Sequence, residues 1–325
     1  MNILVTGGLG LIGHNVVRQL EQLGHNPVIA DTKTSYGIVP QDELDYLMSE
    51  RRKKLNSLLY QADIISDTMG YLCNKHSIEA IVHLASFPRQ KVVNADPKLG
   101  ARTMMEGLLN LLETAKAHNV KKFVYISSSM VYGDFEDQVT EQASCNPQGQ
   151  YGIMKLAGEH LVKDYSRRGY FNHTIIRPSA VYGPLDVEDR VVAKFMLTAL
   201  RGGTLNVNGA GETLDFTYSE DAAQGIVSAT LSEQANNKTY NITKSHSVSL
   251  LEAAEKIVAI VGKGKIHVRD KDADFPSRGA LNIDAARRDF GFDPQVDVEE
   301  GFYKYHNWLQ NSTYWQNKLN EDSIH

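Results

Sequence analysis

The start of the chain carries two short apolar runs separated by one amphipathic segment. Ile3 to Val5 form the first run and Pro27 to Ala30 form the second, and short runs of this kind are typical of buried strands. Between them Val16, Val17 and Leu20 recur at the spacing of one helix face. The pattern therefore predicts a strand, a helix and a second strand.

The same alternation continues through the first half of the chain. It predicts strands at residues 79–86, 121–126 and 174–176, and helices at residues 104–117 and from residue 150 onward. Strands that alternate with helices are typical of right-handed βαβ units and a parallel sheet. A charged segment at residues 41–60 interrupts the alternation, and we expect one or two surface helices there, with the basic run at residues 50–54 as a solvated face.

The composition is that of a globular protein. The 325 residues are 42% hydrophobic and 22% charged, and the net charge of −5 gives no basic footprint for nucleic acid. No apolar run approaches the ~20 residues that span a bilayer, and Met1 leads directly into a strand, so we expect a cytoplasmic protein without nucleic-acid or membrane partners. Cys73 and Cys145 lack metal-ligand spacing, which favours free thiols and no metal site.

Glycines fill the turn between the first strand and the first helix. The spacing Gly7-x-x-Gly10-x-x-Gly13 overlaps a second pattern, Gly8-x-Gly10-x-x-Gly13. Glycine lets the backbone approach a pyrophosphate closely, and the helix N-terminus offers free N–H donors. The stretch therefore predicts a dinucleotide site at the start of the chain.

An acid follows at the position that selects the cofactor. Asp31 closes the second strand 18 residues after Gly13, where a carboxylate accepts hydrogen bonds from the ribose hydroxyls and repels a 2′-phosphate. NAD is therefore expected rather than NADP, although the nearby Lys33 could tolerate that phosphate. Asp63 is a further acid that could meet the adenine edge. His83, between apolar neighbours, is interpreted as a satisfied core histidine.

A tyrosine and a lysine four residues apart open a later helix. Tyr151 and Lys155 lie on one helix face, where a lysine cation stabilises a phenolate and brings its pKa toward neutral pH. The serines at 127–129 end a preceding strand. A spacing of this kind is common by chance, but the serine cluster upstream favours a proton-transfer site.

These motifs stand in an order that resembles the extended short-chain dehydrogenase/reductases. More narrowly, the chain resembles the NAD-dependent nucleotide-sugar epimerase/dehydratase family, whose members include UDP-glucose 4-epimerases. The matching segments are residues 6–13, 83–85, 127–133, 151–155, 177–184, 209–221 and 282–294.

The resemblance implies an α/β fold: a Rossmann doubly wound parallel sheet with a smaller C-terminal substrate-binding lobe. We assign residues 1–178 to the NAD-binding Rossmann domain and residues 179–310 mainly to the lobe, interleaved with the end of the sheet. A closing helix is expected at residues 299–310, and residues 311–325 are expected to be a frayed polar tail.

The resemblance also implies roles for individual residues. Ser128, Tyr151 and Lys155 would be catalytic, with Ser128 on the reacting sugar oxygen and Tyr151 removing its proton. The expected substrate residues are Arg89, Ser129, Ser179, Arg190 and Arg278, and Ser129 has the alternative interpretation of a strand-end hydrogen-bonding residue. The expected cofactor-binding residues are Gly7, Gly10, Leu11, Ile12, Gly13, Asp31, Asp63, Ile64, Leu84, Ala85, Ser86, Tyr151, Lys155 and Pro178.

Several positions depart from the family pattern. Ser129 and Met130 stand where sugar 4,6-dehydratases carry an acid, which disfavours dehydration and decarboxylation. Leu214 stands where relatives often have a diphosphate-binding arginine, and Met104 where many epimerases have an asparagine. Other cations would then have to bind the diphosphate, and Arg278 is the preferred candidate.

The sequence thus predicts an NAD-dependent nucleotide-sugar epimerase that acts at C4 through a transient 4-keto sugar. Two alternatives stay open. One is a C4 dehydrogenase or 4-keto-sugar reductase that exchanges its cofactor, and the other is a non-catalytic NAD-sensing regulator. By resemblance we also expect a homodimer that pairs through the helices at residues 104–117 and 151–167.

Overall fold

The computed structural model describes residues 1–34, 39–87, 90–272 and 276–321. Within these ranges the chain forms strands β1 (Asn2–Thr6), β2 (Asn26–Asp31), β3 (Leu58–Gln61), β4 (Ala80–His83), β5 (Lys122–Ile126), β6 (Asn172–Pro178), β7 (Val181–Tyr182), β8 (Thr204–Asn208), β9 (Thr213–Asp215), β10 (Thr217–Tyr218), β11 (Lys238–Ile242), β12 (Ser247–Ser249) and β13 (Lys265–Arg269). The α-helices are α1 (Gly13–Gln22), α2 (Gln41–Arg52), α3 (Thr68–Lys75), α4 (Gln90–Ala95), α5 (Pro97–Ala101), α6 (Gly107–Ala117), α7 (Gly149–Arg167), α8 (Val191–Leu200), α9 (Ser219–Leu231), α10 (Leu250–Val261), α11 (Asp284–Phe290), α12 (Val298–Asn311) and α13 (Thr313–Glu321).

A seven-stranded sheet organises the N-terminal part of the chain. Its strand order is β11-β6-β5-β4-β1-β2-β3, and all of its pairings are parallel. β1 lies between β2 and β4, with Leu4 opposite Val28 on one side and Ile81 on the other. The prediction of a doubly wound parallel sheet is confirmed.

Helices cover both faces of this sheet because its strands are buried on both sides. One face packs on α1, α9 and α11 around a cluster that includes Val5, Val16 and Ile226. The other face packs on α3, α6 and α7 around Leu4 and Leu111. No helix in the described ranges is long and apolar enough to cross a membrane.

The chain reverses its direction of progress across the sheet between β1 and β4. β2 and β3 extend the sheet on one side of β1, and the next strand, β4, then pairs with β1 on the other side. Open α/β sheets bind ligands beside the carboxyl ends of the strands at such a point. Gly7 follows β1 and Leu84 follows β4, so both lie at this edge.

A second apolar core lies in the C-terminal part of the chain. It joins α8, α10 and α12 with the short strands β7 to β10 and β12, and its buried members include Phe216, Val248 and Phe302. β11 returns from this region to pair with β6 at the edge of the main sheet. The C-terminal half thus contributes to both cores.

The charged segment at residues 41–60 agrees with its prediction in its helix and differs in its basic run. It forms one helix, α2, and then enters β3 at Leu58. The basic run is not a uniformly solvated face, because Arg51 is only 4% exposed. Arg51 follows Leu44 and Leu47 by seven and four residues and therefore lies on their buried side of the helix.

The prediction of a frayed tail is also wrong for residues 313–321. They form α13, which places Trp315 in the C-terminal core with no exposed surface. Trp315 packs edge-on against Trp308 and Tyr314. The segment is polar in composition, yet one large aromatic side chain gives it an apolar anchor.

The helix predicted at residues 104–117 begins differently from its pattern. A π-helical turn, Arg102–Glu106, precedes α6 and contains Met104. The Met104 side chain is buried with Phe87, Val92 and Val93. Its neighbour Thr103 lines the cleft described below, so the turn rotates the side chains of this segment relative to a regular helix.

Candidate active site

A cleft of about 1060 Å³ opens at the carboxyl edge of the sheet and extends into the C-terminal part of the chain. Every predicted cofactor-binding residue lines it, from Gly7 in the glycine loop to Pro178 after β6. Ser128, Ser129, Ser179, Arg190 and Arg278 line it as well. Arg89 lies outside the described residues. The structure therefore brings the described site residues into one cavity.

The glycine loop needs glycine at two positions for different reasons. Gly7 has a φ of +70°, and a Cβ there would lie 2.7 Å from the backbone nitrogen of Ala85. A Cβ on Gly13 would lie 2.1 Å from the carbonyl oxygen of Gly7. Both distances are too short for a side chain, so the close packing of β1, α1 and the end of β4 excludes one.

Asp31 closes the same loop from the second strand. Its carboxylate accepts a hydrogen bond from the Leu9 N–H at 3.0 Å and one from the Lys33 N–H at 2.9 Å. Asp31 is 9% exposed and lines the cleft. Carboxylate oxygens have further lone pairs, so these bonds leave room for acceptance from ribose hydroxyls.

These features fit a dinucleotide. Neither Gly7 nor Gly13 has room for a Cβ, so the backbone of the loop is closely packed. α1 begins at Gly13, and its N-terminal amides lie at the cleft. A pyrophosphate at this helix end meets N–H donors and the positive end of the helix dipole. Gly10 to Gly13 would hold the pyrophosphate, and Asp31 the adenosine ribose.

The lysine of the predicted catalytic cluster, Ser128, Tyr151 and Lys155, is buried in the first turns of α7. Lys155 is 5% exposed, and its Nζ donates a hydrogen bond to the Ile126 carbonyl oxygen at 2.8 Å. Burial lowers the pKa of Lys155 to about 7, while the charge of Glu159 acts in the opposite direction. Lys155 Nζ lies 5.8 Å from the centre of the Tyr151 ring.

Tyr151 and Ser128 contact each other across the cleft. Burial raises the pKa of Tyr151, and a hydrogen bond with Ser128 and the charge of Arg190 both oppose that rise. The pKa of Tyr151 therefore lies above its ordinary value of 10, and the predicted shift toward neutral pH is not found. Ser128 Oγ also accepts a hydrogen bond from the Met130 N–H at 3.2 Å, which fixes the hydroxyl at the end of β5.

A buried ion pair supports this cluster from behind. Arg177 donates from Nε and Nη2 to the two carboxylate oxygens of Glu159, at 2.8 and 2.7 Å. Ser127 Oγ donates to the same carboxylate at 2.6 Å. Glu159 lies one helical turn after Lys155 and has no exposed surface. The pair therefore joins α7 to the ends of β5 and β6.

The positions that could carry a dehydratase acid hold a hydroxyl and a thioether. Ser129 Oγ donates to Ser179 Oγ at 3.2 Å, and both residues are buried at the cleft. Met130 is 6% exposed and also lines the cleft. Neither residue can exchange a proton with a sugar carbon at neutral pH.

Two guanidinium groups face the part of the cleft beyond Ser128. Arg278 Nη1 lies 3.5 Å from Met130 Sδ, and its buried Nε has no hydrogen-bond partner among the described residues. Burial, followed by the charge of Arg190, lowers the pKa of Arg278 to about 10. Arg190 Nε lies 3.8 Å from a carboxylate oxygen of Asp186. Leu214, which replaces the expected arginine, packs in the C-terminal core.

His83 lies in β4, where sequence analysis placed a satisfied core histidine. Its Nδ1 is 2.8 Å from Thr6 Oγ1, and burial lowers its pKa to about 3. The imidazole is therefore neutral at physiological pH and packs between β1 and β5. Both cysteines are free, and Cys73 is buried. The described residues contain no group of three or more metal-ligating side chains placed to hold a metal ion.

A sequence model of the NAD dependent epimerase/dehydratase family matches residues 3–243. The chain belongs to this family. The expected cofactor, NAD, is confirmed, because this family is NAD dependent. The match runs from β1 to the residue after β11, and so it covers the sheet, the glycine loop and the catalytic cluster.

Individual relatives extend over nearly the whole chain. The uncharacterized UDP-glucose epimerase YtcB of Bacillus subtilis is 29% identical over 309 residues, which cover 93% of this chain and 95% of that protein. The dTDP-glucose 4,6-dehydratase of Neisseria meningitidis is 29% identical over 351 residues, covering 98% and 96%. The crystal structure of UDP-glucuronic acid 4-epimerase from Bacillus cereus, with UDP-glucuronic acid and NAD, has a TM-score of 0.88 at 26% identity, covering 95% and 99%.

Sequence reasoning missed several residues that the structure brings to the site. Glu159 follows Lys155 by four residues, so the spacing that identified Tyr151 and Lys155 also points to it. Arg51 lies on the apolar stripe of α2, and that stripe was visible in the sequence. Because Arg51 lies within the basic run, the sequence did not indicate that it is buried. Thr103 and Phe195 line the cleft without any distinguishing pattern in the sequence.

Proposed function

We propose that this chain is an NAD-dependent nucleotide-sugar epimerase that acts at C4 through a transient 4-keto intermediate. One observation carries the proposal. Ser128, Tyr151 and Lys155 converge at the cleft, while Ser129 and Met130 occupy the places where a dehydratase acid would act. The cluster is equipped for proton transfer at one oxygen, and neither Ser129 nor Met130 offers an acid or base for chemistry at a neighbouring carbon.

Each catalytic residue has a defined task in this reaction. Tyr151 accepts the proton of the C4 hydroxyl, and Ser128 holds the same oxygen by a hydrogen bond. Lys155 lies one helical turn away, with its Nζ 5.8 Å from the Tyr151 ring centre, and its protonated form would favour the phenolate over the phenol. NAD, held by Gly10 to Gly13 and Asp31, would supply the hydride acceptor and donor for C4. Tyr151 would return the proton to the C4 oxygen once the hydride is restored on the opposite face, so the C4 epimer would form with no net oxidation.

The nucleotide-diphosphate part of the substrate follows from the charge beyond the catalytic cluster. Arg190 and Arg278 lie close enough for the charge of the first to lower the pKa of the second. Both side chains are half-buried, and like charges this close favour an anionic ligand between them. Guanidinium groups match phosphate oxygens well. Relatives that bind or are named for UDP-sugars support a sugar nucleotide as the ligand.

A panel of sugar nucleotides tests this function. The purified protein is incubated with UDP-, GDP-, CDP- and dTDP-sugars, and the products are resolved by proton NMR while NADH absorbance is followed. We expect one C4 epimer to form without net NADH. Tyr151→Phe should abolish it, and Tyr303→Phe, at a tyrosine that is 56% exposed on α12, should not.

Other results would contradict the proposal in distinct ways. Equimolar NADH and a 4-keto sugar would indicate the dehydrogenase, and a 4-keto-6-deoxy product would indicate a dehydratase. An absence of any product, with full NAD binding and an unchanged phenotype of Tyr151→Phe in the cell, would favour a regulator that senses NAD. An epimerase must also retain its cofactor between the two transfers, so NAD should co-purify with the protein.

We also propose that two copies pair through α6 and α7. Both helices present exposed apolar side chains: Leu109 on α6 is 40% exposed and Ile153 on α7 is 53% exposed. Large apolar side chains at this exposure favour burial against a partner surface. α7 also carries Tyr151 and Lys155, on the side away from Ile153, so the pairing would stabilise this helix.

A further inference from the structure

The helix inserted between β2 and β3 reaches the cleft through one buried guanidinium. Arg51 stands in the last turn of α2, and its Nη1 donates to the Leu9 carbonyl oxygen at 2.7 Å. Its Nη2 donates to the Leu185 carbonyl oxygen at 2.5 Å. Leu9 belongs to the glycine loop, whereas Leu185 belongs to the loop between β7 and α8. One side chain thus connects the cofactor end of the cleft to its substrate end.

The loop that Arg51 holds has an unfavourable backbone at the point of contact. Leu185 has a φ of +70°, in the left-handed region that side-chain-bearing residues rarely adopt, and its side chain is only 2% exposed. Backbones of this kind persist only where the surrounding contacts hold them, and they concentrate at functional sites. The bond from Arg51 acts on the carbonyl of this same residue.

A second contact from α2 holds the other end of the loop. Glu43, which is 1% exposed, accepts a hydrogen bond from the Glu188 N–H at 2.7 Å. Lys318 of α13 lies between the two acids, with its Nζ 3.4 Å from Glu188 and 3.9 Å from Glu43. The loop is therefore fixed at Leu185 and at Glu188 by the same helix.

α2 is itself fixed by the last two helices of the chain. The rings of Tyr46 and Tyr314 stack with their centres 4.3 Å apart. Tyr46 Oη lies 2.6 Å from Ser312 Oγ, and Tyr314 Oη donates to Asp42 Oδ2 at 2.8 Å. Because α2 is held against α13, it can act as a rigid support for the loop.

The loop matters because its last residues line the cleft. Asp186, Asp189 and Arg190 all do so, and Arg190 is one of the two cations assigned above to the substrate. A displacement of the backbone at Leu185 would move Arg190, five residues along the same loop. The position of a substrate cation thus depends on a bond made to the cofactor loop.

We propose that Arg51 is a positioning residue that couples the glycine loop to residues 183–190, so that NAD binding orders the substrate loop. The identity of the ligand that Arg190 then meets rests on the proposed function, whereas the coupling requires only NAD. A bound pyrophosphate restrains the peptides next to Leu9, and Arg51 transmits that restraint to Leu185. Arg51 does not contact the reacting atoms and acts only through the loop at residues 183–190.

Hydrogen–deuterium exchange measures this coupling directly. The protein is stripped of nucleotide and compared with and without saturating NAD, using peptides that cover residues 7–13 and 183–190. In the unaltered protein NAD should slow exchange in both peptides, by about fivefold or more at residues 183–190, the lower end of the usual coupling between two sites. In Arg51→Met, NAD should protect residues 7–13 alone.

Two further variants separate geometry from charge and from general damage. Arg51→Lys keeps the cation, but one ammonium cannot reproduce the fork that reaches both carbonyls, so it should also lose the protection at residues 183–190. Arg52→Met removes the neighbouring guanidinium, which bonds to Leu55 outside the cleft, and should keep the protection. If Arg51→Met does not fold cooperatively, Arg51→Lys decides the question.

Full NAD-dependent protection of residues 183–190 in a folded Arg51 variant would overturn the coupling. So would a lack of protection in the unaltered protein with NAD bound. Turnover gives a second readout: for the sugar nucleotide that the protein converts, Arg51→Met should raise KM about tenfold and leave kcat within about twofold. If no sugar nucleotide is converted, the proposed function fails while the exchange experiment still decides the role of Arg51.

Discussion

Lys155 Nζ donates a hydrogen bond to the carbonyl oxygen of Ile126, the residue that ends β5. The serines at 127–129 follow directly, so one strand end fixes both the ammonium group and the Ser128 hydroxyl. Tyr151 approaches from α7, and the Lys155 ammonium lies 5.8 Å from its ring centre. The geometry of the proposed catalytic residues therefore depends on the segment that follows β5 and on its contacts with α7.

Loss of the lysine charge should impair proton transfer with little effect on the fold. Lys155→Met is expected to lower kcat by about 10²–10⁴, the usual range for general acid–base catalysis. Initial rates of epimer formation measure this effect. Lys304→Met, at an exposed lysine on α12, is the control. A Lys155→Met variant with more than about a tenth of the original kcat would contradict the assigned role, since acid–base catalysis is worth more than that.

The ion pair behind the cluster should dominate its response to acid. Burial alone would raise the pKa of Glu159, but the hydrogen bonds and charge of Arg177 outweigh it and hold that pKa below the ordinary value of 4.5. A depressed carboxyl pKa stabilises the fold above pH 4.5, and this contribution is lost as the pH falls through the folded-state pKa.

Glu159→Gln should therefore destabilise the protein strongly at pH 7 and weakly in acid. Breaking a buried pair leaves Arg177 without its countercharge, which typically costs about 3–5 kcal/mol. Urea unfolding at pH 7 and at a pH below the folded-state pKa of Glu159 measures the difference between the variant and the unaltered protein. Glu113→Gln, at an acid that is 55% exposed on α6, is the matched control. An equal difference at both pH values would exclude this explanation.

The sequence identified the parts of the site that a repeating pattern marks. Glycine spacing, the acid after β2 and the tyrosine–lysine spacing each reflect a local geometric requirement, and they all appear at the cleft. Arg51 and Arg177 were harder to assign, because their partners, Leu185 and Glu159, are determined by tertiary packing. A charged side chain within a basic run gives no local sign that it is buried.

The tail shows the same limit in the opposite direction. Residues 313–321 contain one tryptophan among mainly polar residues, and composition alone predicted fraying. The structure buries Trp315 completely, and a single buried indole outweighs the polarity of a short helix. We expect Trp315→Ala to lower the free energy of unfolding by about 3–5 kcal/mol, as for other buried aromatic residues. Denaturant unfolding measures this change, with Tyr303→Ala at an exposed position as the control. An unchanged unfolding midpoint in Trp315→Ala would show that the helix is dispensable.

Pairing through α6 and α7 should be sensitive to one charge on the exposed side of α7. Ile153→Lys places an ammonium where apolar contact is expected, and it should shift the protein from dimer to monomer at micromolar concentration. Light scattering measures the mass, and Tyr71→Lys, at an exposed aromatic residue on α3, tests whether any such charge has the same effect. If the unaltered protein is already a monomer at this concentration, the proposed pairing is wrong.

Arg278 offers a test in which function and stability should change in opposite directions. Its guanidinium is held beside Met130 and within reach of the charge of Arg190, an arrangement that costs stability unless an anion is bound. Arg278→Leu should therefore leave the free energy of unfolding unchanged or raise it. The same variant should raise the KM for the sugar nucleotide about 10–100-fold, because a hydrogen bond to a charged group contributes about 1.5–3 kcal/mol.

The comparison requires both measurements on one preparation. Arg287→Leu removes an arginine that is 49% exposed on α11 and should change neither quantity. A structural role for Arg278 would instead lower the stability and leave KM unchanged. A raised KM with undiminished stability would identify Arg278 as a ligand of the substrate's negative charge, because a guanidinium binds phosphate oxygens directly.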